Sequence, residues 1–434
     1  MLKPRVGFTV MYHPQEVGAQ EAPELLTKYC QVLRGLGLEV IKANEPLHDA
    51  KTAVQNGKTF RENQVDAICV LLATWSSDEL ILDLLEEWDV PIIVWGFPGI
   101  HTGSLCGAQQ INCVLKELSK PCKLVYRDDE SSIQEISSYS RAAALKRRLR
   151  IAKLGLIGYR TEGMTETAFD EFDLKGIVGP RIVHTDIGKL KDMIEKVPQS
   201  KAMELWEDVK KKVGGVFVKE EDGLYSAKAY FALKDFIEEN SLAGVTIKCV
   251  YDFMGRVCLA FSLLSEEGIV CGCEGDVNSL AAMFMLYELT GSPIHNTDLL
   301  DVYGEDDSVI FSHCGSGGFS LAEKVECIAL KPVRLAEEGL CVLFPAHPGK
   351  VTLVNLVGRK GTYRMCVIKA EAVHTDMIFP GNPVKVRLPV RVNEFIEIVS
   401  KEGIGHHWMI GYGEVEKDLI QLGSLIGIKV VSIP

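Results

Sequence analysis

Val6-Gly7-Phe8-Thr9-Val10, Leu38-Glu39-Val40-Ile41 and Ala67-Ile68-Cys69-Val70-Leu71-Leu72 are three short apolar runs, and the chain between them is helical in pattern. Residues 21–36 read as an amphipathic helix closed by Gly35 and Gly37, and a second helix covers residues 49–64. Short strands alternating with helical stretches of this length predict a parallel sheet joined by crossover helices. The third run opens into Ala73-Thr74-Trp75-Ser76-Ser77-Asp78, and a further helix and strand lead to Val94-Trp95-Gly96-Phe97-Pro98. In open α/β sheets ligands lie beyond the carboxyl ends of the strands. Trp75 and Trp95 are therefore candidate walls of a binding cleft, and equally candidates for capping a core.

The same texture resumes after the basic cluster Lys146-Arg147-Arg148-Leu149-Arg150, which reads as a solvated helix face or an interdomain linker. A strand over residues 151–158 is followed by helices around 187–213 and 226–239. The strand 244–249, a helix around 257–265, the strand 268–273 and a helix over 277–289 complete a second α/β unit. From about residue 324 the chain becomes a series of β-like runs, 340–344, 351–356, 365–368 and 384–390. Pro348-Gly349, Arg359-Lys360-Gly361 and Pro380-Gly381-Asn382 divide them, as in a barrel or sandwich. A last helix over 414–425 and a strand over 428–433 return to α/β texture. The expected fold is two Rossmann-like doubly wound α/β domains, 1–148 and 149–322, followed by a β-barrel-like C-terminal domain, 323–434.

Length and composition agree with several domains, since 434 residues exceed what one hydrophobic core usually serves. A formal net charge of −12 argues against a nucleic-acid or anionic-membrane surface. No N-terminal run has the length of a signal-peptide apolar region, and none approaches the roughly 18 residues of a membrane span. A cytoplasmic location is expected. The 13 cysteines are scattered and mostly lie in apolar stretches, so they read as buried thiols of a reducing compartment.

Four polar positions in the second half stand out, each where an apolar strand-like run gives way to glycine or polar residues. They are Glu274 in Cys-Gly-Cys-Glu-Gly-Asp, Asp298 in His-Asn-Thr-Asp, His313 in Ser-His-Cys-Gly, and the doublet His406-His407. Taken singly, each has an ordinary explanation. Glu274 could satisfy the amides of the helix that follows, a role open equally to Asp276; Asp298 could be a turn residue; the doublet could be packed in a glycine-rich turn. Taken together, two carboxylates and imidazoles form a donor set for a hard-to-borderline divalent metal, and the same carboxylates can move protons.

The run Cys273-Glu274-Gly275-Asp276-Val277-Asn278, Asp298 after it, the His313-Cys314-Gly315 turn and the late Gly405-His406-His407 resemble the L-fucose isomerase and L-arabinose isomerase superfamily. Ala73-Thr74-Trp75-Ser76 and the order of two α/β units before a β module add to the resemblance, which spans most of the chain. It implies an aldose-ketose isomerase using Mn²⁺, or another divalent ion such as Co²⁺ or Mg²⁺, acting on a free sugar through a cis-enediolate. It also implies a homo-oligomer, trimeric or hexameric. By matching positions, Glu274, Asp298 and His407 become metal ligands and His313 a conditional fourth, while Glu274 and Asp298 form the acid-base pair. Trp75, Lys248, Cys314 and His406 become sugar contacts. Here the loop after the first strand reads Val10-Met11-Tyr12-His13-Pro14 instead of carrying the fucose branch's arginine, and His406 replaces an asparagine, so the identity of the sugar stays open. Two further functions remain in view: a non-catalytic sugar-binding or regulatory protein, and a metal-dependent hydrolase or lyase acting on a carbohydrate.

Overall fold

The computed structural model describes residues 2–433, and of Arg359 the backbone alone. It divides into two compact units, Leu2–Arg148 and a second beginning at Leu149.

The first unit is built on a five-stranded parallel sheet of β1 (Arg5–Met11), β2 (Glu39–Lys42), β3 (Ala67–Leu72), β4 (Ile92–Gly96) and β5 (Cys122–Tyr126), in the order β2-β1-β3-β4-β5. Every residue of β3 is buried, as expected of a central strand covered on both faces. The helix Ala50–Glu62 is started by a capping box, in which Asp49 accepts the Thr52 N–H at 2.8 Å while the Thr52 hydroxyl meets the Asp49 N–H. Within that helix Gly57 is required by packing: a Cβ there would lie 2.6 Å from Glu87 Cβ. The basic cluster begins in the last turns of the helix Glu130–Ile151. Arg147 reaches across to Asp66 at 3.2 Å and to the side chain of Gln64 at 2.8 Å, so part of the cluster ties this unit together.

The second unit opens with β6 (Lys153–Ile157) and β7 (Arg181–Thr185), then β8 (Gly215–Val216), β9 (Gly244–Ile247) and β10 (Val270–Gly272). Four of these form a parallel sheet in the order β10-β9-β6-β7. The remaining strands are β11 (Ile294–Tyr303), β12 (Ser308–Ser312), β13 (Ala329–Lys331), β14 (Cys341–Leu343), β15 (Gly349–Arg359), β16 (Thr362–Val373), β17 (Val384–Arg387), β18 (His407–Tyr412) and β19 (Lys429–Ile433). Six of them run β15-β18-β11-β12-β17-β16, each antiparallel to the next, and β16 pairs back onto β15. The ring is closed. β19 adds to β16 in parallel outside it.

Closure removes free sheet edges and buries one face of every strand around Phe311, Leu353, Ile368, Trp408 and Ile410. The helix Val392–Glu402, which the sequence pattern did not announce, seals this core with Phe395, whose ring lies 5.7 Å from that of Trp408. β14, expected among the barrel strands, instead pairs with β13 in the small sheet β14-β13-β8. Its Val342 packs with Trp206, Leu259 and Phe344 in a separate apolar cluster, which draws it away from the ring. Among the described residues no helix is long and apolar enough to cross a membrane.

Candidate metal centre

β10 ends at Gly272, and the helix Val277–Thr290 begins five residues later. The chain turns between them through two left-handed residues, Glu274 at φ 66° and Gly275 at φ 72°. A left-handed glutamate is uncommon and costs free energy, so the surroundings must hold it. They do. The Glu274 carbonyl accepts the Thr161 N–H at 2.9 Å, and the turn lies so close to the preceding loop that a Cβ on residue 275 would be 2.4 Å from the Tyr159 carbonyl oxygen. The capping role that either acid could have filled falls to Asp276, which accepts the Ser279 N–H at 3.0 Å and the Ser279 hydroxyl at 2.6 Å. Glu274 is thereby left for other work.

The other donors come from the barrel. In the β11–β18 register Asp298 lies directly opposite His407, and in β11–β12 it lies opposite Ser312, one residue before His313. Trp408 and Ile410 belong to the barrel core, so by strand alternation His407 and Asp298 face outward. The outward row of Ile294 and Gly411 meets Leu286 of the helix Val277–Thr290, which identifies the element covering this face.

The result is convergence. His407 Nε2 lies 2.9 Å from Glu274 Oε2 and 3.6 Å from Asp298 Oδ1. His313 Nε2 lies 3.8 Å from Glu274 Oε2 and 3.9 Å from Asp298 Oδ2. The ligand atoms of Glu274, His313 and His407 are all within 4.8 Å of one another, as are those of Asp298, His406 and His407. Asp276 Oδ2, 2.8 Å from His407 Nδ1, fixes that ring with Nε2 toward the carboxylates, the carboxylate-histidine arrangement that commonly stands behind a metal ligand. Among the described residues the enclosed atoms Asp298 Oδ1 and His313 Nδ1 have no hydrogen-bond partner, nor has either end of the buried Asn296 amide. Unpartnered buried polar atoms around a hard-to-borderline donor set fit a divalent cation.

Charge coupling follows the geometry. Burial alone would raise the Glu274 carboxyl pKa, but His313 and His407 outweigh it and hold the group well below the usual carboxylate range. Burial alone would lower His407, but Asp276 and Glu274 push it up to about 10. Against its burial, His313 is raised by the Cys314 sulfur and by Glu274 and Asp298.

Comparison with known proteins brings out likenesses to sugar isomerases. The chain is similar to sulfoquinovose isomerases. It is 26% identical over 385 residues to the sulfoquinovose isomerase of Alkalicoccus urumqiensis, covering 85% of this chain and 86% of that one. It is 26% identical over 384 residues to that of Priestia aryabhattai, covering 86% of each. A more distant likeness, 22% over 418 residues, is to the L-arabinose isomerase 1 of Bacillus licheniformis, covering 87% of this chain and 83% of that one. No protein-family model matches.

The remaining residues singled out in the sequence are not all in the cluster. His406 is: its ring lies 3.9 Å from that of His407, and its Nε2 is 3.9 Å from Asp298 Oδ1. Cys314 follows His313 and packs toward Cys258 and Cys341. Lys248, just past β9, places its ammonium on Glu162 at 2.7 Å and on the Tyr159 hydroxyl at 3.3 Å. Trp75 lies in the first unit, half-buried, with its indole N–H donated to Gln110 at 2.9 Å. Trp95 is fully buried, edge-on to Tyr29 and bonded to the Arg127 carbonyl at 2.6 Å, so it is a core residue.

Sequence reasoning missed the second role of Asp276, and it missed Asn296 and Glu166 altogether. Asn296 stands two residues before Asp298 on one strand, a spacing that shares a face and could have drawn notice. Glu166, in the short 3-10 turn Thr165–Thr167, gave no signal.

Proposed function

We propose that the chain is a metal-dependent isomerase that interconverts an open-chain aldose and its ketose. The observation that carries this reading is that Glu274, His313 and His407 form one close set of donor atoms and Asp298, His406 and His407 another, with His407 common to both. Glu274, Asp298 and His407 would hold a Mn²⁺ or similar divalent ion, with His313 as a fourth ligand. When bound, such an ion polarises a carbonyl and acidifies the neighbouring C–H.

The proton work belongs to the chain. Isomerisation takes a proton from C2, passes through a cis-enediol and returns a proton at C1, so it needs two groups that exchange roles between the directions of reaction. Glu274 is held ionised by its histidine neighbours, and Asp298 Oδ1 has no hydrogen-bond partner among the described residues. Asp298 Oδ1 is thus open to a proton, while Glu274 Oε2, now paired with His407 Nε2 at 2.9 Å, would be freed for proton transfer by a cation taking the place of the imidazole proton. His407 cannot swing away, because Asp276 holds its other nitrogen. The relatives' names bring a hexose with a sulfonate at its terminal carbon, sulfoquinovose, to the head of the substrate list, with pentose and deoxyhexose aldoses behind it. We place the enzyme in the cytoplasm as a homo-oligomer.

The test is a panel of sulfoquinovose, L-arabinose and L-fucose, assayed for ketose with Mn²⁺ and again after chelation. One sugar should be converted, and chelation should abolish conversion. Glu274→Gln should lower turnover by about a hundredfold or more. Turnover that survives chelation would overturn the metal assignment, and full turnover in Glu274→Gln would overturn the acid-base one.

A further inference from the structure

We infer that Glu166 is a positioning residue that fixes His406 as a directional hydrogen-bonding group for a substrate hydroxyl. This rests on the isomerase reading and adds a residue that neither the resemblance nor the relatives' names assign.

Glu166 Oε1 pairs with His406 Nδ1. The His406 ring also lies 3.9 Å from that of His407, at 39° between planes, so the imidazole is fixed from two sides. Its other nitrogen, Nε2, faces Asp298 Oδ1 at 3.9 Å, the same oxygen that His407 Nε2 approaches at 3.6 Å. Two carboxylate-imidazole pairs, Asp276–His407 and Glu166–His406, therefore aim at one point. They differ in access. His407 is nearly sealed, with 2% of its side chain exposed, whereas the side chains of His406 and Glu166 are each 38% exposed. The second pair stands where a ligand arriving from solvent can touch it.

The loop that carries Glu166 is anchored on both sides. Before it, the Thr161 N–H is donated to the Glu274 carbonyl at 2.9 Å and the Met164 N–H to the Thr161 carbonyl at 3.3 Å. After it, the Ala168 carbonyl accepts the Asn278 amide at 3.5 Å, on the helix that Asp276 caps. A carboxylate on an anchored loop loses little freedom in holding a partner, the condition under which a supporting residue improves geometry.

A consequence for recognition follows. With Nδ1 held by Glu166, the ring offers Nε2 alone toward a ligand, one hydrogen-bonding atom in a fixed direction. A sugar hydroxyl, which can both donate and accept, is the ligand group that a single fixed ring nitrogen suits.

The experiment is a double-mutant cycle on Glu166 and His406, read by calorimetric binding of L-arabinitol, L-fucitol and sulfoquinovose to the Mn²⁺-loaded protein, with Mn²⁺ affinity measured separately. Glu166→Ala should weaken binding of the preferred ligand about tenfold, and Glu166→Gln, whose amide oxygen still accepts from Nδ1, should stay within about twofold. In a His406→Asn background Glu166→Ala should have no further effect, because the coupling runs through the imidazole. Mn²⁺ affinity should be unchanged throughout. Parent-like binding in Glu166→Ala, an undiminished effect in the His406→Asn background, or a parallel loss of Mn²⁺ would each overturn the assignment. A parent that binds none of the three and converts no aldose would overturn the isomerase reading itself, a distinct outcome.

Discussion

Asp276 and His407, 131 residues apart in the chain, meet in a 2.8 Å hydrogen bond between a carboxylate that caps a helix and an imidazole that ends in the candidate metal centre. One side chain thus couples the start of the helix Val277–Thr290 to the orientation of a ligand. The two duties can be separated, because asparagine caps a helix about as well as aspartate but cannot act as a charged partner for an imidazole. Asp276→Asn should leave thermal stability within about 1 kcal/mol while lowering divalent-metal affinity roughly 10- to 100-fold. Asp276→Ala should lose both. Metal titration alongside thermal melts of the two variants checks this.

Gly275 tests the turn itself. In Gly275→Ala the new Cβ would meet the Tyr159 carbonyl oxygen at 2.4 Å in a left-handed backbone, so the loop bearing Tyr159 and Thr161 must move. The expected cost is about 1–3 kcal/mol of stability, with turnover falling further than stability alone explains. Urea titration and kcat measured on the folded fraction separate the two effects.

His295 makes stability depend on pH. Burial and the nearby His347 lower its pKa to about 3, so the folded protein keeps this ring neutral, while the unfolded chain titrates it near 6.5. Between those values the unfolded state binds the extra proton, so stability falls as pH falls below about 6.5 and recovers above it, by up to about 1.4 kcal/mol per pH unit from this group. His295→Phe should flatten that part of the profile, as measured by urea midpoints of parent and variant between pH 7 and pH 5. A variant profile parallel to the parent's would refute the assignment.

Asn296 offers a stability test of function. Its amide is buried with no partner at either end among the described residues, on the same outward strand face as Asp298. An unpaired buried amide costs about 1–3 kcal/mol, so Asn296→Leu should raise the melting temperature while lowering activity. A variant that melts lower, or keeps full turnover, would show that this amide serves neither purpose.

The alternation of apolar runs and helical stretches was legible because each strand of the parallel sheets is buried and each crossover helix carries its own stop signals, as at Gly35 and Gly37. Glu274, His313, His406 and His407 were legible because each lies at or just beyond a strand end, whereas Asp298, read as the end of a loop-to-strand passage, sits in the middle of β11. What could not be read was pairing at a distance. β11 and β12 read as the end of an α/β unit, and only long-range pairing with β17 and β18 draws them into the ring. The helix Val392–Glu402 follows Pro389 and lies among β-like runs, so local texture hid it. Glu166 is joined to His406 by tertiary structure alone.

The pairing of Asp298 with His407 in the β11–β18 ladder has a consequence for how the protein checks its own assembly. Were β18 to slip by one residue, every side chain would change face: Trp408 would leave the barrel core and His407 would turn into it. Misregistered chains would then lack a complete ligand set, so a cation at this centre would favour the correct register over its neighbours. The ion would act as a proofreader of strand alignment before any sugar arrives.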